Sequence, residues 1–266
     1  MNDVQMNQME TVLITGASSG IGLELAKCFA ADGSRLILVA RNRDALQKLA
    51  DELRLKHKVE TVILTADLSL PEAPKQIVEK LAAQKLSVDV LVNNAGFGLH
   101  GEFREMPLPK QLEIIKVNVN ALVELTGLIL PDMLQRRAGG ILNVGSVAGF
   151  IPGPGLAIYY ATKAFVQSFS EALAEELDGT GVSVTVVCPG PTETNFNNVA
   201  RGNKVRKLQS KKMTAEDVAR IGYRDFRRKR VISITGFQNK FLIHLARFLP
   251  RQTVRRIVKN YNTLRN

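Results

Sequence analysis

The chain has 266 residues, of which 45% are hydrophobic, and it carries a formal net charge of +11. This length and apolar content suit one large α/β domain better than two small ones. The two cysteines, Cys28 and Cys188, lie far apart in apolar surroundings, which indicates buried thiols rather than a disulfide or a metal pair. The first ten residues lack an apolar core, and no run approaches the roughly 18 uncharged apolar residues of a membrane span. We therefore expect a reduced cytoplasmic protein that is soluble or peripheral at the inner membrane surface.

The charge is distributed unevenly along the chain. Residues 201–266 carry 19 Lys and Arg against three acidic residues, whereas residues 1–200 have a small net negative charge. Such asymmetry indicates an anionic partner for the last quarter of the chain. No nucleic-acid-binding motif accompanies the charge, so we expect no nucleic-acid partner.

A glycine-rich turn follows the first predicted strand, residues 11–15. It has the sequence Gly-Ala-Ser-Ser-Gly-Ile-Gly and leads into an amphipathic helix that ends near Asp32. This context is typical of a dinucleotide-binding turn, in which Gly16 permits the tight turn, Gly20 lets the backbone approach a pyrophosphate and Gly22 allows close helix packing. The helix N-terminus would then face the phosphates. The alternative is an ordinary strand–helix turn that contains three glycines.

Two arginines follow the second predicted strand, residues 35–40. In a NAD site this position usually carries an acidic residue for the ribose 2′-hydroxyl, but here Arg41 and Arg43 stand there. A guanidinium would bind a 2′-phosphate through charge-assisted hydrogen bonds, so the sequence favours NADP(H), with NAD(H) as the alternative. Another interpretation is that both arginines cap the next helix, residues 44–57.

The remaining strands and helices alternate along the chain. Strands are predicted at residues 59–66, 88–92, 141–146, 182–187 and 231–234, and a long helix is predicted over Pro109–Gln135. The alternation predicts a single α/β domain with a doubly wound parallel sheet. The polar stretch 195–212 has no clear periodicity and is expected to form most of a mobile substrate flap, residues 190–213.

Several polar residues stand at the ends of predicted strands or inside apolar segments. Asp67 ends the third strand and would meet an adenine edge or cap the following helix. Asn118 lies in an apolar part of the long helix and needs a hydrogen-bond partner, which could be structural or catalytic. Ser146 stands at the carboxyl end of the fifth strand, the edge where open parallel sheets bind ligands.

Tyr159 and Lys163 lie four residues apart in a predicted helix, residues 156–177. They therefore face the same side of the helix, one turn apart. A phenol with a pKa near about 10 is a poor acid–base catalyst at neutral pH. A lysine ammonium one turn away favours the phenolate, so we expect Lys163 to lower the pKa of Tyr159.

Taken in order, these motifs resemble the short-chain dehydrogenase/reductase family over residues 10–236. The matching segments are residues 15–22, Asp67-Leu68, Asn93-Asn94-Ala95-Gly96, Asn118, Ser146, Tyr159-x-x-x-Lys163, and Pro189-Gly190 with Thr192 and Thr194. The resemblance implies a single Rossmann fold with a parallel sheet of about seven strands. It also implies an oxidoreductase that transfers a hydride between NADP(H) and a small-molecule carbonyl or alcohol substrate.

The resemblance gives each matching residue a role. Tyr159 would be the general acid or base, Ser146 would hydrogen-bond the substrate oxygen, and Lys163 would hold the nicotinamide ribose. Asn118 would keep a water in line behind Lys163. The expected cofactor-binding residues are Gly16, Ser18, Ser19, Gly20, Ile21, Gly22, Arg41, Arg43, Asp67, Leu68, Asn94, Ala95, Gly96, Tyr159, Lys163, Pro189, Gly190, Thr192 and Thr194. A basic residue within the glycine turn, one family device for NADP, is absent, so the preference for NADP(H) rests on Arg41, with Arg43.

Residues 237–266 extend beyond the part that resembles the family and are predicted to be helical. One apolar stripe comprises Phe241, Leu242, Leu245, Phe248 and Leu249, and a second, after Pro250, comprises Val254, Ile257, Val258 and Tyr261 beside Arg251, Arg255, Arg256 and Lys259. The pattern fits an interfacial helix on anionic lipid, and equally a helix packed on its own domain or on a twin subunit. The tail is similar to that of bacterial reductases related to the 3-oxoacyl and 17β-hydroxysteroid branch, which favours a bulky apolar substrate.

Other classes of function remain open on the sequence alone. The chain could be an NADP(H)-binding sensor that has lost turnover, or a membrane-associated scaffold. Retention of all four predicted catalytic residues favours an enzyme, because a sensor has no need of the complete set. Family members often form dimers or tetramers through two long helices, so the resemblance implies a homodimer or homotetramer.

Overall fold

The computed structural model describes residues 9–194 and 212–263. The strands are β1 (Thr11–Thr15), β2 (Arg35–Ala40), β3 (Thr61–Thr65), β4 (Val90–Asn93), β5 (Gly139–Val144), β6 (Val182–Cys188), β7 (Thr192–Glu193), β8 (Met213–Thr214) and β9 (Ile232–Ile234). The α-helices are α1 (Gly20–Ala31), α2 (Arg43–His57), α3 (Ala73–Ala83), α4 (Leu108–Ile115), α5 (Ala121–Arg136), α6 (Ala157–Glu176), α7 (Ala215–Arg227), α8 (Phe237–Phe248) and α9 (Arg251–Thr263).

Seven of the strands form one parallel sheet in the order β3-β2-β1-β4-β5-β6-β9. The chain builds one half outward from β1, returns to the other side of β1, and builds the second half outward from β4. The predicted doubly wound parallel sheet of about seven strands is therefore confirmed, as is the C-terminal helical extension. β7 and β8 form a separate parallel pair.

Helices cover both faces of the sheet, which explains why its strands have continuous apolar sequences. Successive side chains of a strand point to opposite faces. In β1, Val12 and Ile14 pack with α1 and α2 in one cluster, and Leu13 packs with α3, α5 and α6 in another. The two cores are thus separated by the sheet, and the carboxyl ends of the strands remain uncovered by these helices.

The predicted long helix, Pro109–Gln135, is interrupted. A π-helical turn, Lys116–Asn120, separates α4 from α5, and such turns are common at functional sites. Among the described residues, this run is also the one helix that is long and apolar enough to cross a membrane. Leu125, Ile129 and Met133 are buried against the sheet, so the domain core accounts for its apolar face. Most of the predicted flap, by contrast, falls on residues 195–211, which lie outside the described part of the chain.

A row of buried polar side chains crosses the middle of the sheet. Asn93 Nδ2 donates to Thr126 Oγ1 at 3.1 Å and to Asn143 Oδ1 at 3.0 Å. Asn143 Nδ2 donates to Ser170 Oγ at 2.9 Å, and Ser170 Oγ donates to the Val166 carbonyl at 2.6 Å. This buried polar row ties β4 and β5 to α5 and α6, which pack on the same face of the sheet.

Replacing Asn143 with Ala should lower the free energy of unfolding by about 2–4 kcal/mol, because the change leaves a cavity and removes partners of Asn93 and Ser170. The measurement is urea unfolding followed by circular dichroism. Asn120→Ala is the matched control, since Asn120 is exposed and its side chain makes no capping hydrogen bond. It should change stability by less than about 0.5 kcal/mol. Equal effects of the two substitutions would show that the buried polar row does not hold the sheet and helices together.

Candidate active site

A cleft of about 950 Å³ lies at the carboxyl ends of the strands. Its wall includes the turn after β1, the end of β2 and the segments that follow β4, β5 and β6. β1 leads into α1 on one face of the sheet, whereas its neighbour β4 leads to helices on the other face. The cleft therefore lies at the topological switch point, where open α/β sheets bind ligands.

The glycine turn after β1 is held tightly against the segment after β4. Gly16 has a φ angle of +66°, which favours glycine. A Cβ atom on Gly22 would lie 2.3 Å from Asn94 Nδ2, so the close packing admits only glycine there. Asn94 Nδ2 donates to the carbonyl oxygens of Thr15 at 2.8 Å and Gly16 at 3.2 Å. Asn94 thus fixes the shape of the turn.

The N-terminus of α1 opens into the cleft. Ser18, Ser19, Gly20 and Ile21 line the wall at this point, and the N-cap residue Ser19 makes no side-chain capping hydrogen bond. The first amide groups of a helix lack intrahelical partners and carry the positive end of the dipole. Together with the tight glycine turn, these residues fit a dinucleotide and would hold its pyrophosphate.

Four charged side chains of the cleft wall gather together: Arg41, Asp67, Lys110 and Glu113, which pairs with Lys110. Burial alone raises the pKa of Asp67, but hydrogen bonds from Ser69 and the positive charges of Arg41 and Lys110 outweigh it and bring the pKa below its ordinary value. The Ser69 amide donates to Asp67 Oδ1 at 3.0 Å. Asp67 therefore both shapes the turn after β3 and lines the cleft. Lys110 was not foreseen from the sequence.

The two arginines considered for the 2′-phosphate occupy different places. Arg41 lines the cleft, whereas Arg43 is the first residue of α2 and is not part of the cleft wall formed by the described residues. Neither arginine caps α2 through its side chain, since the Asn42 side chain accepts the capping hydrogen bond from the Ala45 amide. The structure thus leaves Arg41 as the arginine placed to meet a ligand.

The predicted catalytic side chains meet in the middle of the cleft. Ser146 follows β5, and its hydroxyl group hydrogen-bonds that of Tyr159 on α6. Lys163, one turn further along α6, is buried and donates from Nζ to the Val144 carbonyl at 2.7 Å. Its Nζ lies 5.9 Å from the centre of the Tyr159 ring. The strand end and the helix together bring the hydroxyl pair and the ammonium to one point.

Burial dominates the protonation of this pair. It raises the pKa of Tyr159 to about 12, and the hydrogen bond with Ser146 offsets only part of this rise. Burial also lowers the pKa of Lys163 to about 8. The structure does not show the expected lowering of the Tyr159 pKa by Lys163. Burial is the largest influence on the phenol, the neighbouring Tyr160 raises the pKa further, and the Lys163 ammonium points to a backbone carbonyl. Tyr159 is therefore a neutral phenol at neutral pH.

Asn118 lies in the π-helical turn and joins three segments. Its Oδ1 accepts from the Phe97 amide at 3.0 Å, and its Nδ2 donates to the Phe97 carbonyl and to Thr162 Oγ1, each at 3.0 Å. A Cβ atom on Gly96 would lie 3.1 Å from Asn118 Oδ1 and 3.5 Å from Lys163 Nζ. Asn118 thus has a structural role beside Lys163, and its role in a proton relay stays a prediction.

The segment after β6 closes another side of the cleft. Pro189, Gly190, Thr192 and Thr194 line the cleft, as do Ala95, Gly96 and Leu68, and their contact with a cofactor stays a prediction. Gly190 packs against α8, because a Cβ atom there would lie 2.2 Å from Asn239 Nδ2. Asn239 Nδ2 in turn donates to the Thr235 carbonyl at 2.7 Å. The segment after β6 and the C-terminal helix α8 are therefore in direct contact.

The C-terminal helices supply much of the cleft wall, which the sequence did not predict. Their lining residues are Asn239, Leu242, Ile243, Leu245, Ala246, Leu249, Val254, Ile257, Val258, Tyr261 and Asn262. In α9 the buried positions Val254, Val258 and Asn262 recur every four residues, and Asn262 Nδ2 donates to the Pro154 carbonyl at 2.7 Å. The four-residue spacing of Val254, Val258 and Asn262 was the signal in the sequence that this face of α9 is buried.

Comparison with known proteins agrees with this geometry. A family model described as short chain dehydrogenase matches residues 10–204. The chain is 39% identical over 219 residues to sulfoacetaldehyde reductase 2 of Chromohalobacter salexigens, covering 80% of this chain and 86% of that protein. It is 32% identical over 270 aligned positions to a very-long-chain 3-oxoacyl-CoA reductase of Rattus norvegicus, covering 97% and 81%. A solved structure, a short-chain dehydrogenase from Sphingobium yanoikuyae in complex with NADPH, matches with a TM-score of 0.80 and 32% identity, covering 91% and 97%.

The fold and the site thus define an oxidoreductase that uses a nicotinamide dinucleotide on alcohol or carbonyl groups. The chain belongs to the short-chain dehydrogenase family.

Burial of Lys163 should make stability depend on pH. The pKa of its ammonium is about 8 in the folded protein against an ordinary 10.5, so between these values the unfolded chain binds more protons at this site. The free energy of unfolding should therefore rise with pH, by about 2 kcal/mol between pH 7.5 and 9.5 from this lysine. Urea unfolding of the unchanged protein and of Lys163→Met across this pH range measures the contribution of Lys163 to the pH dependence. Lys48→Met is the control, because Lys48 is an exposed lysine on α2. Equal pH slopes for the protein and Lys163→Met would contradict the assignment.

Proposed function

We propose that this enzyme reduces bulky apolar carbonyl compounds with NADPH. The observation that carries this proposal is the composition of the cleft that contains Tyr159, where eight of the eleven lining side chains from α8, α9 and their connection are aliphatic. Among the described lining residues, the charged groups other than Lys163 belong to the set around Arg41, Asp67 and Lys110, together with Glu113, which pairs with Lys110. An apolar substrate gains most from such a wall.

The protonation states support the reductive direction. A neutral Tyr159 phenol is ready to donate a proton to a carbonyl oxygen as the hydride arrives. The Ser146 hydroxyl, which already hydrogen-bonds Tyr159, can donate to the same oxygen while negative charge develops on it. Bound NADPH would supply the hydride. Lys163, buried close to Tyr159, would hold the nicotinamide ribose and return a proton to Tyr159 from the water that Asn118 is predicted to keep behind it.

A charged substrate is the competing possibility, because one relative acts on sulfoacetaldehyde. A sulfonate needs a cation or several donors when it is removed from water. Beside the predicted catalytic set, the described wall offers neutral polar side chains here, among them Tyr160, Asn239, Tyr261 and Asn262, but no cation other than Lys163, Arg41 and Lys110. This arrangement supports the apolar class of substrate over the small anionic class.

An oligomer remains part of the proposal. Leu112, Val123, Leu128 and Phe165 are exposed on α4, α5 and α6, with exposed fractions of 46%, 38%, 40% and 41%. The family resemblance implied association through two long helices, and α5 and α6 are the longest helices of the described residues. Exposed apolar side chains on neighbouring helices support that expectation, although single ones are common on monomers.

With NADPH and a series of methyl ketones and 3-oxoacyl thioesters of rising chain length, kcat/KM should increase about threefold to fourfold per added methylene until the cleft is filled. Sulfoacetaldehyde should be a poor substrate. The measurement is the loss of NADPH absorbance. A preference for sulfoacetaldehyde over the long apolar carbonyls would contradict the proposed substrate class.

Tyr159→Phe is the control for that series. It should lower turnover at least about 100-fold, because the proton donor is lost, while NADPH affinity changes little. If the variant keeps most of the rate, the acid–base assignment is wrong. NADPH binding without turnover on any substrate would instead support the sensor class.

The arginines provide a test of cofactor preference. Arg41→Ala should raise the KM for NADPH roughly 10- to 100-fold and leave the KM for NADH nearly unchanged, since a charge-assisted contact to the 2′-phosphate is lost. Arg43→Ala is the matched control and should change either KM less than about threefold. Steady-state kinetics with both cofactors measures the effect. If both variants changed the KM for NADPH by similar factors, the location of Arg41 in the cleft would not be what selects NADPH over NADH.

A further inference from the structure

One face of α8 presents a row of large apolar side chains to solvent. Phe237, Phe241, Leu245 and Phe248 stand at positions i, i+4, i+8 and i+11, which lie along one side of a helix. Their exposed fractions are 83%, 60%, 44% and 86%. Scattered apolar side chains are normal on a protein surface, but three phenylalanines and a leucine in register form a contiguous patch that marks an interaction site.

The rotation of α8 about its axis is fixed by contacts on the opposite side. Ile243 is buried there. Asn239 is held by its hydrogen bond to the Thr235 carbonyl and by its packing against Gly190. The phenylalanines therefore cannot turn inward without removing Ile243 from the cleft. Their exposure is a property of the packed helix.

The same segment is strongly basic. Residues 237–263 contain Lys240, Arg247, Arg251, Arg255, Arg256 and Lys259 and no Asp or Glu. Lys240 and Arg247 on α8 and Arg251, Arg255 and Arg256 on α9 are all exposed, whereas Val254 and Val258 are buried. The exposed side chains of the two helices form their outer surface, which thus combines an apolar row with positive charge.

We propose that this outer surface of α8 and α9 binds the surface of an anionic lipid bilayer. Phenylalanines enter the boundary between headgroups and acyl chains, and each basic side chain near anionic lipid adds to the attraction. A second copy of the chain fits this surface poorly. A symmetric contact would place the same basic segment against itself, and like charges repel.

The patch is continuous with the wall of the cleft. Leu242, Leu245 and Ile257 line the cleft and are also exposed, with exposed fractions of 59%, 44% and 54%. Apolar surface therefore extends from the phenylalanine row into the site. Docking on a bilayer would place the cleft entrance beside the acyl chains, and this access route, unlike the docking itself, rests on the proposed apolar substrate.

The test is co-sedimentation of the full chain, without substrate or cofactor, with vesicles of phosphatidylcholine alone or mixed with phosphatidylglycerol. The protein should bind the anionic vesicles, and binding should weaken as salt is raised, because the charges are exposed. The triple variant F237S/F241S/F248S should need at least about tenfold more lipid for half-maximal binding. The variant R251E/R255E should lose most of the preference for anionic vesicles.

A matched control changes the same types of side chain elsewhere. Leu55 and Lys48 are exposed on α2, so L55S/K48E should bind vesicles as the unchanged protein does. Reduction of a short soluble ketone should be unchanged in the triple variant, because none of the three phenylalanines lines the cleft. That activity shows that the variant is folded and keeps a failure of docking distinct from a failure of the proposed function.

Three results would overturn the proposal. The first is equal vesicle binding by the unchanged protein and the triple variant, and the second is no vesicle binding by either. The third is a smaller oligomer for the triple variant in sedimentation velocity without lipid, which would assign the phenylalanine row to a subunit contact.

Discussion

Hydrogen bonds inside the sheet hold the site in place. Asn93 and Asn143 lie on neighbouring strands, and their amides need partners because burial of an unsatisfied polar group is costly. They find these partners in each other and in Thr126 and Ser170, on helices from one face of the sheet. Asn94 directly follows one strand, and Ser170 lies on the helix that carries Tyr159. The positions of the glycine turn and of Tyr159 therefore depend on the same buried polar row.

The C-terminal helices use two faces for different purposes. Their inner faces close the cleft through Ile243, Val254 and Val258, and their outer faces combine phenylalanines with arginines. A docked helix and an interfacial helix were alternatives when only the sequence was considered. The structure shows the docked face directly, and the remaining apolar row is the basis for the proposed bilayer contact. Both alternatives can hold because a helix has more than one side.

Local patterns predicted the conformation of the glycine turn well. Gly16 and Gly22 were identified from the succession of strand, glycine-rich turn and helix, and backbone conformation and close packing do restrict those positions to glycine. The sequence could not show that Arg41 lines the cleft whereas Arg43 does not. The two arginines are two positions apart at the start of α2, and the residue at which the helix begins decides which side chain meets the cleft. Lys110 was missed because it reaches the cleft from a helix distant in sequence.

The sequence by itself determined the doubly wound sheet, the order of its motifs and the family, because apolar periodicity, glycine turns and residue spacing are local properties. The tertiary structure alone decided the protonation of Tyr159 and Lys163, since desolvation depends on everything packed around a group rather than on its neighbour one helical turn away. It likewise decided which side of α8 closes the cleft and which side faces solvent. Both sides are apolar in the sequence, and only the packing of Ile243 and Asn239 distinguishes them.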